Sequence, residues 1–470
     1  MTENDLTRLT ALELRRLIGT KDVSPVEVLD AHLATIERLN PTLNAIVTLA
    51  AEQAREAALE AEKAVLRGDD LGPLHGLPVV IKDVTDTAGI RTTYASPLYA
   101  DHVPVEDAEV VARLRRAGAI ILGKTNTPEF AAGANTVNEV FGATRNPWNP
   151  KLSPAGSSGG SAVAVAAGMV PIAQGTDFGC SIRIPAAFCG ITGIRTTPGL
   201  IPNYPMRLPW DPGQVHGPLA RTVEDAAMML DAMIGLDPFW PISVAPPWDN
   251  ALPEVQRSED AKGLRVAYVS DIAGIGVDPE IDRICRAAAE GLSRDGAEVE
   301  ETEFDASDGR AAYVTLRGEW MVGQQIERLD VLDRFGPNLS GNVSDGLNLK
   351  VLDTAAAQHT REKVWARFKQ LLERYDFLVT PAAPVPPFPV EQNFPNAIGG
   401  QKLENYVDWI SPAYLITLVG FPAASVPAGK TEQGLPVGLQ IVAPRFAEPR
   451  ILALAKLIQR ANPIGWPPLA

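Results

Sequence analysis

The sequence predicts an α/β protein built on one large, mostly buried sheet of mixed strand direction, with helices on both faces. Three observations predict it. Short β-branched runs recur along the chain, amphipathic helical patterns alternate with them, and 470 residues, 46% hydrophobic and 21% charged, can bury an extensive core.

In chain order, Ser24-Pro25-Val26-Glu27 supplies an N-cap, a proline at N1 and a glutamate at N3. Val28, Leu29, Leu33 and Ile36 then form an apolar face, and Asn40-Pro41 is expected to end this helix. A second, alanine-rich helix from about Leu49 to Leu66 carries alternating acidic and basic residues, the mark of a solvated face. Strands are read at Pro78 to Ile81, Ala119 to Leu122, Leu264 to Val269, Phe377 to Thr380 and Leu439 to Val442. Helices at Asp107 to Arg116, Thr222 to Met233, Pro279 to Ser293 and Ala355 to Tyr375 alternate with them, which favours a sheet covered on both sides. The Pro/Trp-rich stretch Pro238 to Pro253 reads as a surface excursion rather than a domain boundary, and Pro381 to Pro389 as a loop at one end of the sheet.

A formal charge of −15 repels phosphate backbones and anionic lipid heads, so neither nucleic acid nor a membrane surface is expected as a partner. The opening MTENDLTRLT lacks the apolar centre of a secretory signal. The longest weakly polar run, Ala162 to Ala173, contains Gly168 and Pro171 and falls short of the ~20 apolar residues that span a bilayer. Cys180, Cys189 and Cys285 match neither a disulfide framework nor a zinc-site spacing and read as reduced thiols. A cytoplasmic protein is expected.

Three short segments carry the chemistry: Lys82 at the end of GLPVVIKD, Ser157 in AGSSGGSA and Ser181 in GTDFGCSIRIP. The loop from Gly156 to Ser161 has simpler readings as a linker, a phosphate cradle or a nucleophile elbow. A linker is disfavoured because the loop runs straight into Ala162 to Ala167, a small-residue segment suited to a buried helix. The cradle lacks the Lys-Ser/Thr pair of a P-loop. An elbow on Ser158 needs a strand before it, which Pro147, Pro150 and Pro154 exclude.

The tight turn of GTDFGCS places consecutive N–H groups where they can converge on one oxygen, as a developing oxyanion requires. Arg183 reads as a partner of Asp177 that holds this loop. A serine nucleophile needs a base. None of His32, His75, His102, His216 and His359 lies in a Gly/Ser loop or an acid-flanked motif, so a Ser-His-Asp triad has no strong sequence support. Lys82 closes an apolar strand, where desolvation favours the neutral amine that accepts a proton. On a continuing strand its neighbour Asp83 points to the opposite face. Taken alone, such a lysine reads by default as a surface or salt-bridged residue.

Together, in this order and 75 and 24 residues apart, the three segments resemble the amidase signature family. The resemblance extends to Gly190 to Thr197, Gly217 to Ala226 and Gly434 to Gln440, covers about Leu9 to Leu457, and is thinnest between Phe239 and Phe377. It implies the amidase signature fold as a single domain over 1–470. Within it lie N-terminal helices at about 5–67, a signature core at about 72–235, the Pro/Trp-rich excursion at about 238–253, and the remaining sheet and covering helices at 262–465.

The resemblance also implies a Ser-cisSer-Lys triad that uses no metal and no cofactor. Ser181 attacks the carbonyl, Ser157 relays the proton and neutral Lys82 is the ultimate base. The backbone N–H groups of Phe178, Gly179, Cys180 and Ser181 would form the oxyanion hole, with Ser158, Asp177 and Arg183 in support. Cys180 stands where the family usually has glycine, which narrows the site and implies a backbone without positive φ there. Cys180 as a rival nucleophile lacks an identified cationic or histidine neighbour.

The leading expectation is a hydrolase of a carboxylic amide, with carbamate or ester hydrolysis by the same triad as its variant. Two other readings stay open: a component of a glutamine-dependent amidotransferase, for which Asp408 is the acidic candidate, and a non-catalytic scaffold, which a damaged triad would betray. Phe178, Tyr204, Trp210, Trp320 and Trp409 fall near segments that border the pocket in relatives and point to hydrophobic or aryl amides, with ordinary core aromatics as the alternative. The expected partner is a small-molecule amide substrate, with a homo-oligomer left open.

Overall fold

Eleven strands form one mixed sheet in the computed structural model, which describes residues 3–470. Met1 and Thr2, where the reading of the N-terminus as a non-signal segment begins, lie outside them. In spatial order the strands are Ile46–Leu49, Ile120–Thr125, Pro78–Lys82, Ile172–Asp177, Val215–Ala220, Thr192–Arg195, Ala423–Lys430, Pro436–Val442, Phe377–Pro381, Arg265–Tyr268 and Glu298–Glu301. Parallel pairing joins Ile120–Thr125, Pro78–Lys82 and Ile172–Asp177 on one side and Phe377–Pro381, Arg265–Tyr268 and Glu298–Glu301 on the other. The strands between them, and the edge strand Ile46–Leu49, pair antiparallel. The predicted α/β class and mixed sheet are both present.

The strand Pro78–Lys82 is buried at every position, as are Ile120–Thr125 and Ile172–Asp177. Burial on both faces is what a helix-covered sheet demands, and it explains the unbroken apolar runs Pro78 to Ile81 and Ile120 to Leu122. The small residues of Gly159–Ala166 let that helix pack directly on Ile172–Asp177 and Val215–Ala220. Val79 faces Ile172 and Val80 faces Ala173, so Lys82 and Thr176-Asp177 leave the sheet at the same carboxyl-terminal edge.

The Ser24 capping box forms as predicted, with the Glu27 N–H donating to Ser24 Oγ at 3.1 Å and the Ser24 N–H to Glu27 Oε2 at 2.8 Å. The helix, however, runs from Pro25 through Pro41 to Leu43. A proline in the last turn removes only one N–H, and Asn40 caps the exit by accepting from the N–H groups of Ala45 and Ile46. Leu49 closes the edge strand, and the second helix begins at Ala51. Among the described residues no helix is long and apolar enough to cross a membrane.

Candidate active site

Lys82 ends its strand with the side chain wholly inside the protein, and its Nζ lies 2.6 Å from Ser157 Oγ and 2.9 Å from Thr176 Oγ1. Burial is the main reason that its pKa falls from 10.5 to about 7, against a smaller upward pull from Asp177. Lys82 has no salt-bridge partner among the described residues. Its neighbour Asp83 faces the other way, accepting from the Thr93 N–H and Oγ1. The default reading of Lys82 as a surface lysine is therefore replaced by a deeply buried amine.

Ser157 lies in a loop shaped by close backbone approach. The Gly156–Ser157 peptide bond is cis. A Cβ on Gly160 would lie 2.4 Å from the Asn126 nitrogen and 2.7 Å from the Ala45 oxygen, so this position accommodates only glycine without rearrangement. Ala155 carries a φ of 62°, rare for a residue with a side chain, and is held by hydrogen bonds from Thr136 Oγ1 to its carbonyl and from its N–H to Ser153 Oγ. Ser158 does not point at the cavity. Its Oγ donates to the Thr176 carbonyl and accepts from the Thr176 N–H, and its own N–H donates to the Ser181 carbonyl at 3.1 Å, which ties the two serine loops together.

The loop after Ile172–Asp177 is fixed by one carboxylate and two guanidiniums. Asp177 contacts Arg183 at 2.8 Å and Arg195 at 3.5 Å, all three wholly buried. Burial alone would raise the Asp177 pKa, but Arg183 and then Arg195 hold it down to about 2. Arg183 also donates to the carbonyls of Gly179 and Ala413, to Gln440 Oε1 and to Thr417 Oγ1. That is the loop-holding role read for Arg183, carried much further across the fold. Among the described residues the N–H groups of Phe178, Gly179, Cys180 and Ser181 find no acceptor, whereas the next one, on Ile182, donates to Asp177 Oδ2.

Cys180 does not have positive φ. Its Sγ sits 3.4 Å from the Gly156 carbonyl, and burial, followed by the charge of Asp177, pushes its pKa up to about 12. It is a protonated packing group, which removes the thiolate rival. His216 lies beside the Gln174 amide at 2.8 Å, and burial lowers its pKa to about 3, so it is a neutral ring.

A small cavity of ≈ 20 Å³ lies over Ser181 and is lined also by Ser157, Thr176, Phe178, Gly179, Cys180, Arg317, Trp320, Tyr406 and Ile410. It shares Phe130, Ala131, Gln214, Trp320 and Met321 as a common wall with a larger cavity of ≈ 350 Å³. Ser181 is 8% exposed. Of the aromatic candidates, Trp320 stacks on Phe178 with ring centroids 4.2 Å apart and lines both cavities, and Tyr204 borders the larger one. Trp210 is 75% exposed and borders neither. Trp409 is core, packed against Phe188 and Phe388, because its short 3₁₀ turn presents Ile410 to the cavity instead. Sequence reasoning does not single out Thr176 or Arg317. Thr176 has a signal, since it sits in the GTDFGCS segment, whereas Arg317 is one arginine in an ordinary helical pattern.

The chain is similar to known proteins along nearly its whole length. A family model described as amidase matches residues 27–452. An acylamidase of Rhodococcus erythropolis is 37% identical over 98% of this chain and 97% of its own length. One component of the glutamyl-tRNA(Gln) amidotransferase of Roseiflexus is 36% identical over 97% of each chain. The crystal structure of a bacterial aryl acylamidase of the amidase signature family superposes with a TM-score of 0.88 at 28% identity, covering 96% of both chains. With the family match, the shared sheet and the full-length similarity in agreement, this chain belongs to the amidase family.

Proposed function

We propose that the protein is a serine amidohydrolase of small carboxylic amides and that Ser181, Ser157 and Lys82 are its catalytic residues. The observation that carries this reading is the buried amine of Lys82, lowered to about 7 and 2.6 Å from Ser157 Oγ. Ser181 Oγ attacks the amide carbon while its proton passes to Ser157, whose own proton passes to neutral Lys82. The N–H groups of Phe178, Gly179, Cys180 and Ser181 receive the developing oxyanion, for which fixed backbone donors are well suited. The C–N bond then breaks, the leaving nitrogen takes a proton back through Ser157, and water hydrolyses the acyl group from Ser181 by the same relay. Carbamates and aryl esters present the same carbonyl and fall within the same chemistry.

Phe178, Trp320 and Met321 around the cavity support a preference for hydrophobic or aryl amides. Free glutamine is not favoured. Asp408, the acidic candidate for holding its ammonium group, is paired with Arg310 at 3.6 Å and does not line the cavity. The three cysteines are free and buried, which fits a cytoplasmic setting. Labelling by a serine-directed fluorophosphonate, mapped to its site, tests the assignment. Modification at Ser181 that blocks amide turnover is expected, and full amidase activity in Ser181→Ala overturns it.

A further inference from the structure

Among the described residues, Arg317 is the only charged one that lines the cavity over Ser181, and no carboxylate answers it. It projects from the helix Gly309–Gln325 and is 6% exposed. Its Nε donates to Asn342 Oδ1 at 3.1 Å and one Nη donates to the Tyr406 hydroxyl at 2.6 Å, with the Tyr313 hydroxyl also within its reach. All three partners are neutral. Among the described residues it makes no ion pair, in contrast to the buried Arg183 and Arg195, which share Asp177.

A guanidinium has five N–H donors, and these partners leave donors over. None of its nitrogens is sealed in the core without a partner, so the free donors face the cavity. The rings of Phe178 and Tyr406 lie 5.8 and 5.6 Å from the guanidinium carbon and offset part of its desolvation. They supply no oxygen. A buried cation without a counter-ion is costly, and a carboxylate is the group whose geometry matches a planar guanidinium. Phe178 is in the same loop as the nucleophile, which places this charge beside the reacting carbonyl.

Resting on the hydrolase reading above, we propose that Arg317 makes this enzyme selective for amides carrying a carboxylate a few bonds from the scissile carbonyl, the buried, unpaired guanidinium at the cavity wall being its receptor. Among the described residues no acidic side chain lines that small cavity, and Asp86 borders only the larger one, so nothing beside Arg317 answers an ammonium group next to the carboxylate. The apolar wall of Phe130, Trp320 and Met321 takes the rest of the molecule.

Two matched pairs of anilides test this, one for each side of the amide. Glutaranilic acid is compared with 5-oxohexananilide, and 3-acetamidobenzoate with 3-acetamidoacetophenone. In each pair a methyl ketone replaces the carboxylate with little change of shape. The expected result is a kcat/KM at least about tenfold higher for the anion in one pair, in line with a charge-assisted contact in a desolvated site. In Arg317→Gln that ratio collapses towards one, and Arg317→Lys restores part of it. Ratios near one in both pairs for the unmodified enzyme overturn the proposal without needing any variant to fold. A fall in Arg317→Gln that affects both members of a pair equally overturns it as well. Failure of the hydrolase reading looks different: none of the four anilides is turned over and Ser181 is not labelled.

Discussion

The amine of Lys82 and the hydroxyl of Ser157 are in direct contact at 2.6 Å, with both side chains wholly buried. Such a pair works as a proton acceptor only when the amine is neutral. With a pKa of about 7, kcat/KM should fall about tenfold per pH unit below neutrality and level off above about pH 8. A pH–rate profile on a neutral anilide, whose own charge is constant, checks this. A flat profile between pH 5 and 9 contradicts Lys82 as the base.

The same shift has a consequence for stability. Above pH 7 the folded chain sheds the Lys82 proton while the unfolded chain keeps it up to 10.5, so the unfolded state binds more protons in that window. The cost of burying the amine is thus full below pH 7 and shrinks as the pH rises. Lys82→Met should gain more stability relative to the unmodified enzyme at pH 6.5 than at pH 9, by about 2–3 kcal/mol. Urea denaturation at the two pH values measures the difference.

Ser181→Ala and Ser157→Ala should each lower amide turnover by on the order of 10⁴-fold or more, and the double variant should be little worse than either, since members of one relay are not additive. Steady-state rates for the three variants decide it. Additive losses would argue against a shared proton path.

Asp177→Asn keeps the shape of the side chain and leaves Arg183 and Arg195 buried without a counter-charge. A loss of about 3–5 kcal/mol is expected, seen as a lower urea midpoint. A variant as stable as the parent would mean that the two guanidiniums find other partners.

All three cysteines are buried and Cys180 has its pKa pushed up to about 12. Iodoacetamide at pH 8 should therefore leave the native enzyme active and Cys180 unmodified, while the unfolded chain reacts at all three thiols. Mass spectrometry of the treated protein reads the outcome.

The three serine and lysine segments are contiguous and easily found, but taken alone Lys82 reads as a surface lysine, and only the resemblance of the three together to the amidase signature family implies their roles. The capping box at Ser24 is legible because its residue types are demanded by local geometry. Several central strands are not. Val215–Ala220 holds Gly217 and Pro218, and Ala423–Lys430 holds Pro427 at a register shift, so both read as loops until neighbouring strands enforce the extended chain. Trp409 and Trp320 show the limit for the cavity. Both are large aromatics in suitable neighbourhoods, and only the turn at Asp408–Ile410 decides that one is core and the other is wall. Arg317 has no signal, because the lack of a carboxylate partner is a property of three-dimensional neighbours.

Arg183 sits at the start of the helix Arg183–Cys189, yet two of its partners, Ala413 and Thr417, lie in the helix Ser411–Val419, and a third, Gln440, in the strand Pro436–Val442. The ribosome must therefore deliver residue 440 before the Gly179 carbonyl has a fully anchored clamp. The loop from Asp177 to Ser181 is thus complete in the chain long before the segments that brace it. A chain that stops short of Ala413 lacks three of the contacts that hold Arg183 against this loop.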